Sequence, residues 1–383
     1  MRIRRRDTFA ALLAPALPSP ALGQTTNTAS KLRFERIDFT AVIVPMKQGT
    51  VYSPDFGPTL DQRLVDFPKY PKFIVEIQAS GGLSGIGESS REVPLASVQA
   101  NAEWLKGKTL ADLDFAKPSL GMPSGTTSDA FEIAIYDILG KHLGLPVCAL
   151  LGGCHQSKVA VSYWTGQRTT KDMLEVCRKA VEGGFHNLKF KARKGENPKP
   201  LLEAAVKAAP GLTYIIDFNS SYEDVAAFVK MAAPLREFPL TIEDPVTKRL
   251  DWFRQVREQT KIPVALTPSS PKQAVDALKE GAADVFNNSM KSRDFVNLGY
   301  LAELSGVRMW HGSGVELGVR DMWFVHKAAA TKSCTIPSDT LSYLREHDLL
   351  AERFTPVKGF VAIPKAPGLG VTLDKAAVRK FKA

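Results

Sequence analysis

The segment HNLKFK at residues 186–191 ends on two lysines, Lys189 and Lys191, that stand two residues apart. Further along the chain, TYIID ends at Asp217 and LTIE ends at Glu243, so that Lys191, Asp217 and Glu243 follow one another at intervals of 26 residues. That interval is the length of one strand, one helix and two short loops. A parallel barrel brings the residues at its strand ends together at one mouth, where its active site lies. The spacing therefore predicts a barrel whose site is built from these residues.

Strands and helices are predicted to alternate through the second part of the chain. Each strand-like segment precedes a stretch with helical periodicity, and the strand-like segments are VAVSYW, LKFK, TYIID, LTIE, IPVAL, ADVFN and VRMW. Such alternation is typical of a parallel sheet with right-handed crossovers, and seven or more units close most simply into a barrel. No glycine-rich phosphate loop follows the first strand, which argues against a dinucleotide-binding fold.

The part of the chain before the barrel has a different pattern. KLRFERIDFTAVIVP and KFIVEIQAS alternate as half-buried strands, and the GGLSGIGES sequence that follows predicts a hairpin. A helix is expected to begin after Ser128, which could cap it, and to end at Gly144. The predicted fold class is α/β, with a modified TIM (β/α)7β-type barrel over residues 158–355 and an N-terminal α+β capping domain over 32–157. A C-terminal segment, residues 356–383, is expected to return to the capping domain.

The N-terminus is predicted to be a signal peptide over residues 1–23. Four arginines precede the apolar stretch FAALLAPALPSPALG, and Ala-Leu-Gly before Gln24 resembles a cleavage site. The paired arginines resemble a twin-arginine signal, and the stretch is too short and proline-broken to span a membrane. A disordered basic tail is the alternative, but such tails lack the apolar run. We therefore expect a periplasmic protein that starts with a polar linker over 24–31.

The net charge indicates which classes of partner the protein binds, and the spacing of the cysteines indicates whether it has a zinc site. The net charge of +10 falls to +7 without the first 23 residues, and no cluster of Lys and Arg is interleaved with aromatic residues. Nucleic-acid binding is therefore not expected, whereas the modest positive electrostatic field of the protein would attract an anionic small molecule. The cysteines lack the CxxC spacing of zinc sites and are expected to be buried thiols, although Cys148 and Cys154 could form a disulfide in an oxidising compartment.

The four strand-end residues have the chemistry of proton transfer beside a metal. Lys189 and Lys191 point the same way because alternate residues on a strand share a face. A buried lysine near another cation can have its pKa lowered enough to act as a general base. Asp217 and Glu243 offer hard oxygen ligands that suit Mg²⁺, and a metal bound to a substrate carboxylate stabilises an enediolate. Exposed ion pairs at the strand tips are the alternative, which four residues in one register make less attractive.

At these positions the chain resembles the enolase superfamily, in the branch of mandelate racemase and muconate lactonizing enzyme. The resemblance extends over residues 32–383 and rests on FIVEIQASGGLSGIGESS, AFEIAIYDILGKHLGLPVCALLGG, LKFK, IIDFNSSY, TIEDP and PGLGVTLD. It implies a capping domain over a modified TIM barrel, Mg²⁺, and removal of the proton α to the carboxylate of a small-molecule substrate. It also implies a homo-oligomer. By matching positions, Lys191 corresponds to the base, Lys189 to its electrostatic companion, and Asp217 and Glu243 to two metal ligands.

The chain departs from the family pattern at the later strand ends. Thr267 stands where the family has a third acidic metal ligand. Its neutral hydroxyl would bind Mg²⁺ more weakly than a carboxylate, so that Asn219 or water would have to complete the coordination. Ser289 stands where the muconate-type enzymes have a second catalytic lysine, and Lys291 follows two residues later. His311 lies one residue before the place of a catalytic histidine in the mandelate-type enzymes, and a shift of one residue reverses the face of a strand.

Four further residues are candidates for substrate binding. Tyr52 and Phe56 lie in a long loop over residues 46–71, and loops of this length in a compact domain are often lids. Asn288 ends the strand ADVFNN, and Glu316 matches an acidic position that is common in the family.

The altered positions favour a reaction with one base. Racemisation requires bases on both faces of the α-carbon, and only Lys191 is clearly in place. The preferred prediction is therefore a divergent Mg²⁺-dependent lyase, an acid dehydratase, in which His311 could protonate a departing hydroxide. A racemase, epimerase or cycloisomerase with His311 or Lys291 as second base is one alternative. A non-catalytic ligand-binding protein that has lost full metal binding is the other.

Overall fold

The computed structural model describes residues 31–66 and 69–383. The predicted signal peptide and the linker up to residue 30 lie outside these residues. Among the described helices, none combines the length and the apolar character needed to cross a membrane.

A three-stranded antiparallel sheet forms the first part of the structure. Its strands are β1 (Phe34–Val42), β2 (Lys72–Ala79) and β3 (Leu83–Glu88), in that order. The predicted hairpin joins β2 to β3, and Gly81 and Gly82 make its turn with φ angles of 77° and 74°. The long loop between β1 and β2 contains one short helix, α1 (Gln62–Asp66).

Three helices follow the sheet: α2 (Leu95–Leu105), α3 (Asp129–Leu143) and α4 (Val147–Leu150). The apolar face of α3 packs on the sheet, and Gly144 ends the helix in the left-handed conformation with φ 68°, as predicted. The prediction that the Ser128 side chain caps α3 is wrong. Ser128 already has helical φ and ψ angles, and its hydroxyl donates to the Gly125 carbonyl instead.

Eight further strands and seven helices follow, and they alternate after the first two strands. The strands are β4 (Lys158–Ala160), β5 (Tyr163–Trp164), β6 (Asn187–Lys191), β7 (Thr213–Asp217), β8 (Leu240–Glu243), β9 (Val264–Leu266), β10 (Val285–Asn288) and β11 (Arg308–His311). The helices are α5 (Thr170–Glu182), α6 (Lys199–Ala208), α7 (Val225–Ala232), α8 (Leu250–Thr260), α9 (Pro271–Glu280), α10 (Ser292–Leu304) and α11 (Val319–Ala329). Near the C-terminus, β12 (Phe360–Ala362) pairs antiparallel with β4, and α12 (Lys375–Lys380) follows.

Strands β5 to β11 form one parallel sheet in chain order, which curls into a barrel. The segment 333–339 lies between its two edges, with parallel bridges from Met309 to Cys334 and from Val161 to Ser338. Lys191, Asp217 and Glu243 are direct neighbours in the register of β6, β7 and β8. The predicted TIM-type barrel is therefore confirmed, and its closing segment brings Asp339 to the same mouth.

The barrel is stabilised by apolar side chains on both faces of its strands. Ile215, Ala265, Val285 and Trp310 fill the interior, and a larger cluster packs the outer face of the strands against the helices. Fully burying one side chain such as Phe286 contributes about 1.5–3 kcal/mol to the free energy of folding. This packing holds the strand ends in fixed positions, which the site at the mouth requires.

Glu88 joins the antiparallel sheet to the barrel. Its buried carboxylate ends β3, pairs with the ammonium group of Lys72, and accepts hydrogen bonds from the backbone N–H groups of Leu317 and Arg320 at 2.8 Å each. These N–H groups lie at the start of α11, where a carboxylate is favoured by the helix dipole. The contact fixes the loop after β11 against the sheet.

Two of the four cysteines are paired. Cys148 and Cys154 form a disulfide, with Cα atoms 5.1 Å apart, whereas Cys177 and Cys334 are buried thiols. The expectation of four thiols is therefore wrong for the first pair. The turn after α4 brings the two residues within the Cα distance that a disulfide requires.

Candidate active site

A cavity of about 310 Å³ opens at the C-terminal mouth of the barrel, between the strand ends and the long loop after β1. Charged side chains dominate its wall. Among the described residues that line it, six are cationic (Arg63, Arg91, Lys189, Lys191, Arg193 and Lys248) and five are acidic (Asp61, Asp217, Glu243, Asp244 and Asp339). The four residues singled out by their spacing all belong to this set.

Lys189 is buried and paired with two carboxylates. Its Nζ atom lies 2.5 Å from Glu243 Oε2 and 2.6 Å from Asp339 Oδ2, with the Trp310 ring 5.3 Å away. Burial by itself would lower the pKa of Lys189, but Asp339, Glu243 and Asp217 outweigh it and raise the pKa. The lowered pKa expected for a base of this pair is therefore not found at Lys189, which stays protonated.

Lys191 lies closer to the opening of the cavity. Its side chain is 15% exposed, and its Nζ atom donates to Asp217 Oδ2 at 2.7 Å and to Asn219 Oδ1 at 2.8 Å. An ammonium group has three N–H donors. Lys191 therefore keeps one donor beyond these two contacts, at the wall of the cavity.

Asp217 and Glu243 are buried side by side but differ in pKa. Burial raises the pKa of both carboxyl groups. For Asp217 the neighbouring Lys191 and Lys189 outweigh burial and lower the pKa to about 2. For Glu243 burial and the negative charge of Asp217 raise the pKa to about 8. The two neighbouring carboxyl groups therefore differ, because the lysines lower the pKa of Asp217 whereas Asp217 itself helps to raise the pKa of Glu243.

Asn219 orients this pair of strand ends. It has a positive φ of 45°, and its backbone N–H donates to Asp217 Oδ1 at 2.8 Å. Its side-chain amide donates to Asp217 Oδ2 at 3.0 Å and accepts from Lys191 and from Arg193. The predicted metal ligand Asn219 therefore has a side-chain amide that already contacts three residues, Asp217, Lys191 and Arg193.

Thr267 ends the next strand and carries no charge. Its hydroxyl lies 3.5 Å from Glu243 Oε1, and its backbone N–H donates to Asp244 Oδ1 at 2.9 Å. The Lys248 ammonium group donates to the Thr267 carbonyl at 2.7 Å and lies 3.0 Å from Asp244 Oδ2. Lys248, which the sequence pattern did not single out, therefore places a positive charge at this strand end.

His311 does not reach the cavity, so the structure does not support the catalytic role predicted for it. Its ring is fully buried between Phe295 and Phe324, with ring centroids 5.0 Å and 3.5 Å away, and Nδ1 donates to the Gly312 carbonyl at 2.5 Å. Burial and the nearby Lys327 lower the pKa of His311 well below its ordinary value. The ring faces the helices because Trp310 and Gly312, its neighbours on the strand, face the barrel interior.

Side chains also alternate between the two faces of β10, so that Asn287 and not the predicted Asn288 faces the cavity. Asn288 is buried outside the cavity and contacts the backbone of α10 through the Phe295 carbonyl and that of the turn after β10 through the Met290 N–H. Asn287 lines the cavity instead and donates to Glu243 Oε1 at 2.6 Å. A side chain at Gly312 would collide with Asn287, so glycine is needed there.

The other candidates for substrate binding also lie outside the wall of the cavity. Tyr52 lines a separate apolar groove, and Phe56 is partly buried elsewhere on the long loop. Glu316 is fully buried, where it accepts hydrogen bonds from the Gly314 N–H at 2.6 Å and from the Ser313 hydroxyl. Glu316 therefore supports a loop that lines the cavity, and these three predictions of direct contact are not supported.

Ser289 and Lys291 lie on opposite sides of the turn after β10. Ser289 is exposed and lines the cavity. Lys291 turns to the start of α3, where its ammonium group contacts the Gly125 carbonyl, the Ser128 hydroxyl and Asp129 Oδ1. With three partners for three donors, Lys291 is not available as a second base.

The long loop reaches the site through residues that the sequence did not single out. Arg193 Nε donates to Asp61 Oδ2 at 3.0 Å, and the Asp61 N–H donates to Gln167 Oε1 at 2.6 Å. Arg63 and Leu64 complete this side of the wall. Arg193 could have been found as the next same-face residue after Lys191, whereas the loop residues carry no sequence signal.

Comparison with known proteins accounts for this arrangement. The sequence model of the family described as Enolase C-terminal domain-like matches residues 172–377, more than half of the chain. The chain belongs to the enolase superfamily. Its match to this family, with the fold described above, identifies the branch of mandelate racemase and muconate lactonizing enzyme. Members of the superfamily generally bind Mg²⁺.

Individual relatives are similar along most of their length. A D-galactarolactone cycloisomerase from Agrobacterium fabrum is 28% identical over 82% of this chain and 92% of its own. A protein named "Probable glucarate dehydratase" from Streptomyces coelicolor is 28% identical over 88% and 90%. The muconate lactonizing enzyme of Pseudomonas fluorescens, solved with muconolactone, superimposes with a TM-score of 0.77 at 22% identity, over 93% of this chain and all of that one. The sequence relatives are named for both lyase and isomerase reactions.

Proposed function

We propose that this protein is an enzyme that removes the proton α to a carboxylate group of a small-molecule substrate, with Lys191 as the base. The contrast between the two lysines of β6 carries this proposal. Lys189 is buried and held by two carboxylates, so it stays charged, whereas Lys191 is partly exposed at the cavity wall. A general base has to reach the substrate, as Lys191 can. A group that stabilises developing negative charge has to stay protonated, as Lys189 does.

The surrounding residues suit the charge that such a reaction develops. Removal of an α-proton places negative charge on the substrate carboxylate, which becomes an enediolate. Lys189, Arg193 and Lys248 are cationic groups held in place around the cavity by ion pairs and hydrogen bonds. Groups that are already oriented stabilise the transition state without the cost of reorganisation. Lys191, as the neutral amine, would take the proton and become an ammonium group. In a dehydration it would then give this proton to the departing hydroxide, which leaves as water.

The magnesium ion predicted from the sequence does not fit the donor groups described here. Within residues 31–66 and 69–383, no group of three or more His, Cys, Asp or Glu side chains is placed to hold a metal. The Asp217 oxygens accept from Lys191 and Asn219, and the Glu243 oxygens contact Lys189 and Asn287. Thr267 supplies no carboxylate. No step of the proposed reaction is therefore assigned to a metal.

A lyase, specifically an acid dehydratase, is the reaction class that we propose. Among the three candidates for a second base, His311 and Lys291 are directed away from the cavity, and Ser289 is a hydroxyl group. One base suits an elimination, and the similarity to a protein named for glucarate dehydration supports it. Lys248 favours a second candidate, an isomerase, because its ammonium group faces the cavity from the other side of Asp217 and Glu243.

The proposal is tested by exchange of substrate α-protons in D₂O. Glucarate, D-galactarolactone, muconolactone and mandelate are incubated with the enzyme, with EDTA or with Mg²⁺, and deuterium uptake is followed by NMR and mass spectrometry. We expect exchange with at least one carboxylate and a loss of at least a thousandfold in Lys191→Met. Lys199→Met, at an exposed position on α6, is the matched control and should not change the rate. A ligand-binding protein without catalysis would show no exchange under either condition.

We also propose that the protein is periplasmic. The Cys148–Cys154 disulfide supports this proposal because disulfides persist in oxidising compartments. Fractionation of expressing cells, with a cytoplasmic and a periplasmic marker enzyme, tests it. Recovery with the cytoplasmic marker would contradict it.

A further inference from the structure

The end of β9 carries a cation where the ends of β7 and β8 carry carboxylates. Lys248 lies five residues after Glu243, in the loop that leaves β8, and its Nζ atom is bound by the Thr267 carbonyl and Asp244. These two contacts use two of its three N–H donors. The side chain is 32% exposed and lines the cavity. The third donor is therefore available to a molecule in the cavity.

The cavity as a whole has no surplus of negative charge for a divalent cation. Six cationic and five acidic described residues line it. Each carboxylate of the Asp217 and Glu243 pair already contacts an ammonium group, Lys191 in one case and Lys189 in the other. A divalent ion held by Asp217 and Glu243 would therefore be close to the ammonium groups that these two carboxylates already contact. An anion that enters the same space would instead be attracted by the ammonium groups, and the six cationic residues of the wall outnumber its five acidic ones.

We infer that Lys248 has taken the place of the third metal-binding carboxylate, and that the site binds the carboxylate group of its substrate through ammonium groups rather than through a divalent cation. The inference rests on the proposed function. It assigns Lys248 a direct contact with the substrate carboxylate, opposite Lys191. The ligand class is a carboxylate that acquires a second negative charge as its enediolate forms.

Two binding measurements on the intact wild-type protein test the inference. Isothermal titration with MgCl₂ alone should show no saturable binding up to 5 mM, because the donor set is incomplete. Titration with oxalate, a planar dianion that resembles an enediolate, should show saturable binding in the presence of EDTA. Saturable binding of Mg²⁺ alone at micromolar concentration, or oxalate binding that appears only with Mg²⁺, would overturn the inference. Absence of oxalate binding under both conditions would also overturn it.

Variants at Lys248 and Thr267 make the test specific. Lys248→Met should weaken oxalate binding in EDTA at least tenfold, whereas Lys248→Arg, which keeps the charge, should recover most of it. The double variant Thr267→Asp, Lys248→Met restores a carboxylate and removes the ammonium group, so it should gain saturable Mg²⁺ binding. Thr267→Asn, Lys248→Met is the matched control and should gain none. If the double variant Thr267→Asp, Lys248→Met fails to bind Mg²⁺ although its circular dichroism spectrum is that of the wild type, the inference that Lys248 replaces a metal-binding carboxylate is contradicted.

The outcome can be separated from that of the proposed function. Exchange of α-protons that requires Mg²⁺ would support the enzyme and overturn this inference. Oxalate binding in EDTA through Lys248, without exchange of any tested carboxylate, would support this inference and contradict the enzyme.

Discussion

Arg193 donates to Asp61 across the mouth of the barrel, with Nε 3.0 Å from Asp61 Oδ2, and so joins the loop after β6 to the long loop after β1. Both side chains are about nine-tenths buried, at 11% and 10% exposure. Burial opposes the ionised form of Asp61, but hydrogen bonds from Arg63 and Arg193 lower the pKa well below its ordinary value. The pair therefore stays charged at all physiological pH values and holds the long loop over the cavity.

Loss of this pair should loosen the loop. In Arg193→Gln we expect faster tryptic cleavage at Lys47 and Arg63, and a rise in KM that exceeds the change in kcat, because Asp61 loses its buried partner. Limited proteolysis followed by mass spectrometry measures the first effect. Arg236→Gln, which removes an exposed ion pair with Glu237, is the control and should match the wild type. Equal cleavage rates in all three proteins would contradict the role of the pair.

The two lysines of β6 should differ in their effect on stability. Lys189→Met leaves the buried Glu243 and Asp339 without their cation, which is expected to lower the free energy of unfolding by about 3–5 kcal/mol. Lys191→Met should cost less, because this side chain is partly exposed and Asp217 keeps the two hydrogen bonds from Asn219. Urea denaturation of both variants measures the difference. If Lys191→Met loses more free energy of unfolding than Lys189→Met, then Lys191 and not Lys189 is the lysine on which the stability of the buried ion pairs depends.

Replacement of His311 should leave activity intact. His311→Phe keeps an aromatic ring between Phe295 and Phe324 and loses one hydrogen bond to the Gly312 carbonyl, so a stability loss of about 1 kcal/mol is expected. The rate of α-proton exchange should stay within a factor of three of the wild type. A fall of a hundredfold, with an unchanged melting temperature, would return His311 to the catalytic residues.

Glu132 should make the stability of the protein depend on pH between 4.5 and 7. Burial raises the pKa of Glu132 from 4.5 to about 7, against the hydrogen bond from Ser292. Between these values the unfolded chain loses a proton that the folded chain keeps, so the free energy of unfolding falls as pH rises. The loss in the free energy of unfolding should approach about 3 kcal/mol at pH 7. Lys327, its neighbour, has its pKa lowered to about 7 by burial and remains charged over most of this range.

Comparison with Glu132→Gln isolates this effect. The variant keeps an oxygen for the Ser292 hydroxyl but has no proton to lose. Urea denaturation at pH 5 and at pH 7 should show wild type losing stability relative to the variant as pH rises. Parallel pH profiles for the two proteins would contradict the pKa shift of Glu132.

Reduction of the Cys148–Cys154 disulfide should lower stability moderately. The two cysteines are six residues apart, and closing so short a loop restricts the unfolded chain by about 2 kcal/mol. Cys154→Ser should lower the melting temperature by a few degrees, and a reducing agent should lower that of the wild type but not of the variant. Identical melting temperatures with and without reducing agent would show that the disulfide does not form in solution.

The sequence predicted the barrel and the first half of its site because both depend on regular spacing. Lys189, Lys191, Asp217 and Glu243 occupy strand ends in direct register, as their intervals required. Regular spacing leaves little freedom once the strands are parallel and the connections short.

The remaining residues depend on features that spacing does not contain. His311 and Asn288 lie on the outer face of their strands. The packing of β10 and β11 against α10 and α11, and not the spacing along the sequence, decides which residue of each strand faces inward. Lys248 and Asp339 come from a loop and from the closing segment, where no periodicity marks which side chain reaches the cavity. Asp61 reaches it through tertiary contacts with Arg193 and Gln167.

The hydrogen bonds of Glu88 connect residues that are synthesised far apart in time. Leu317 and Arg320 lie 229 and 232 positions further along the chain. A ribosome adds about 5–20 residues per second, so roughly ten seconds or more pass between the appearance of Glu88 and that of its partners. During this interval the carboxylate at the end of β3 has no helix to contact. The contact between the antiparallel sheet and the loop after β11 therefore forms only after more than four-fifths of the chain has been synthesised, whereas α3, which packs on the same sheet, is available much earlier.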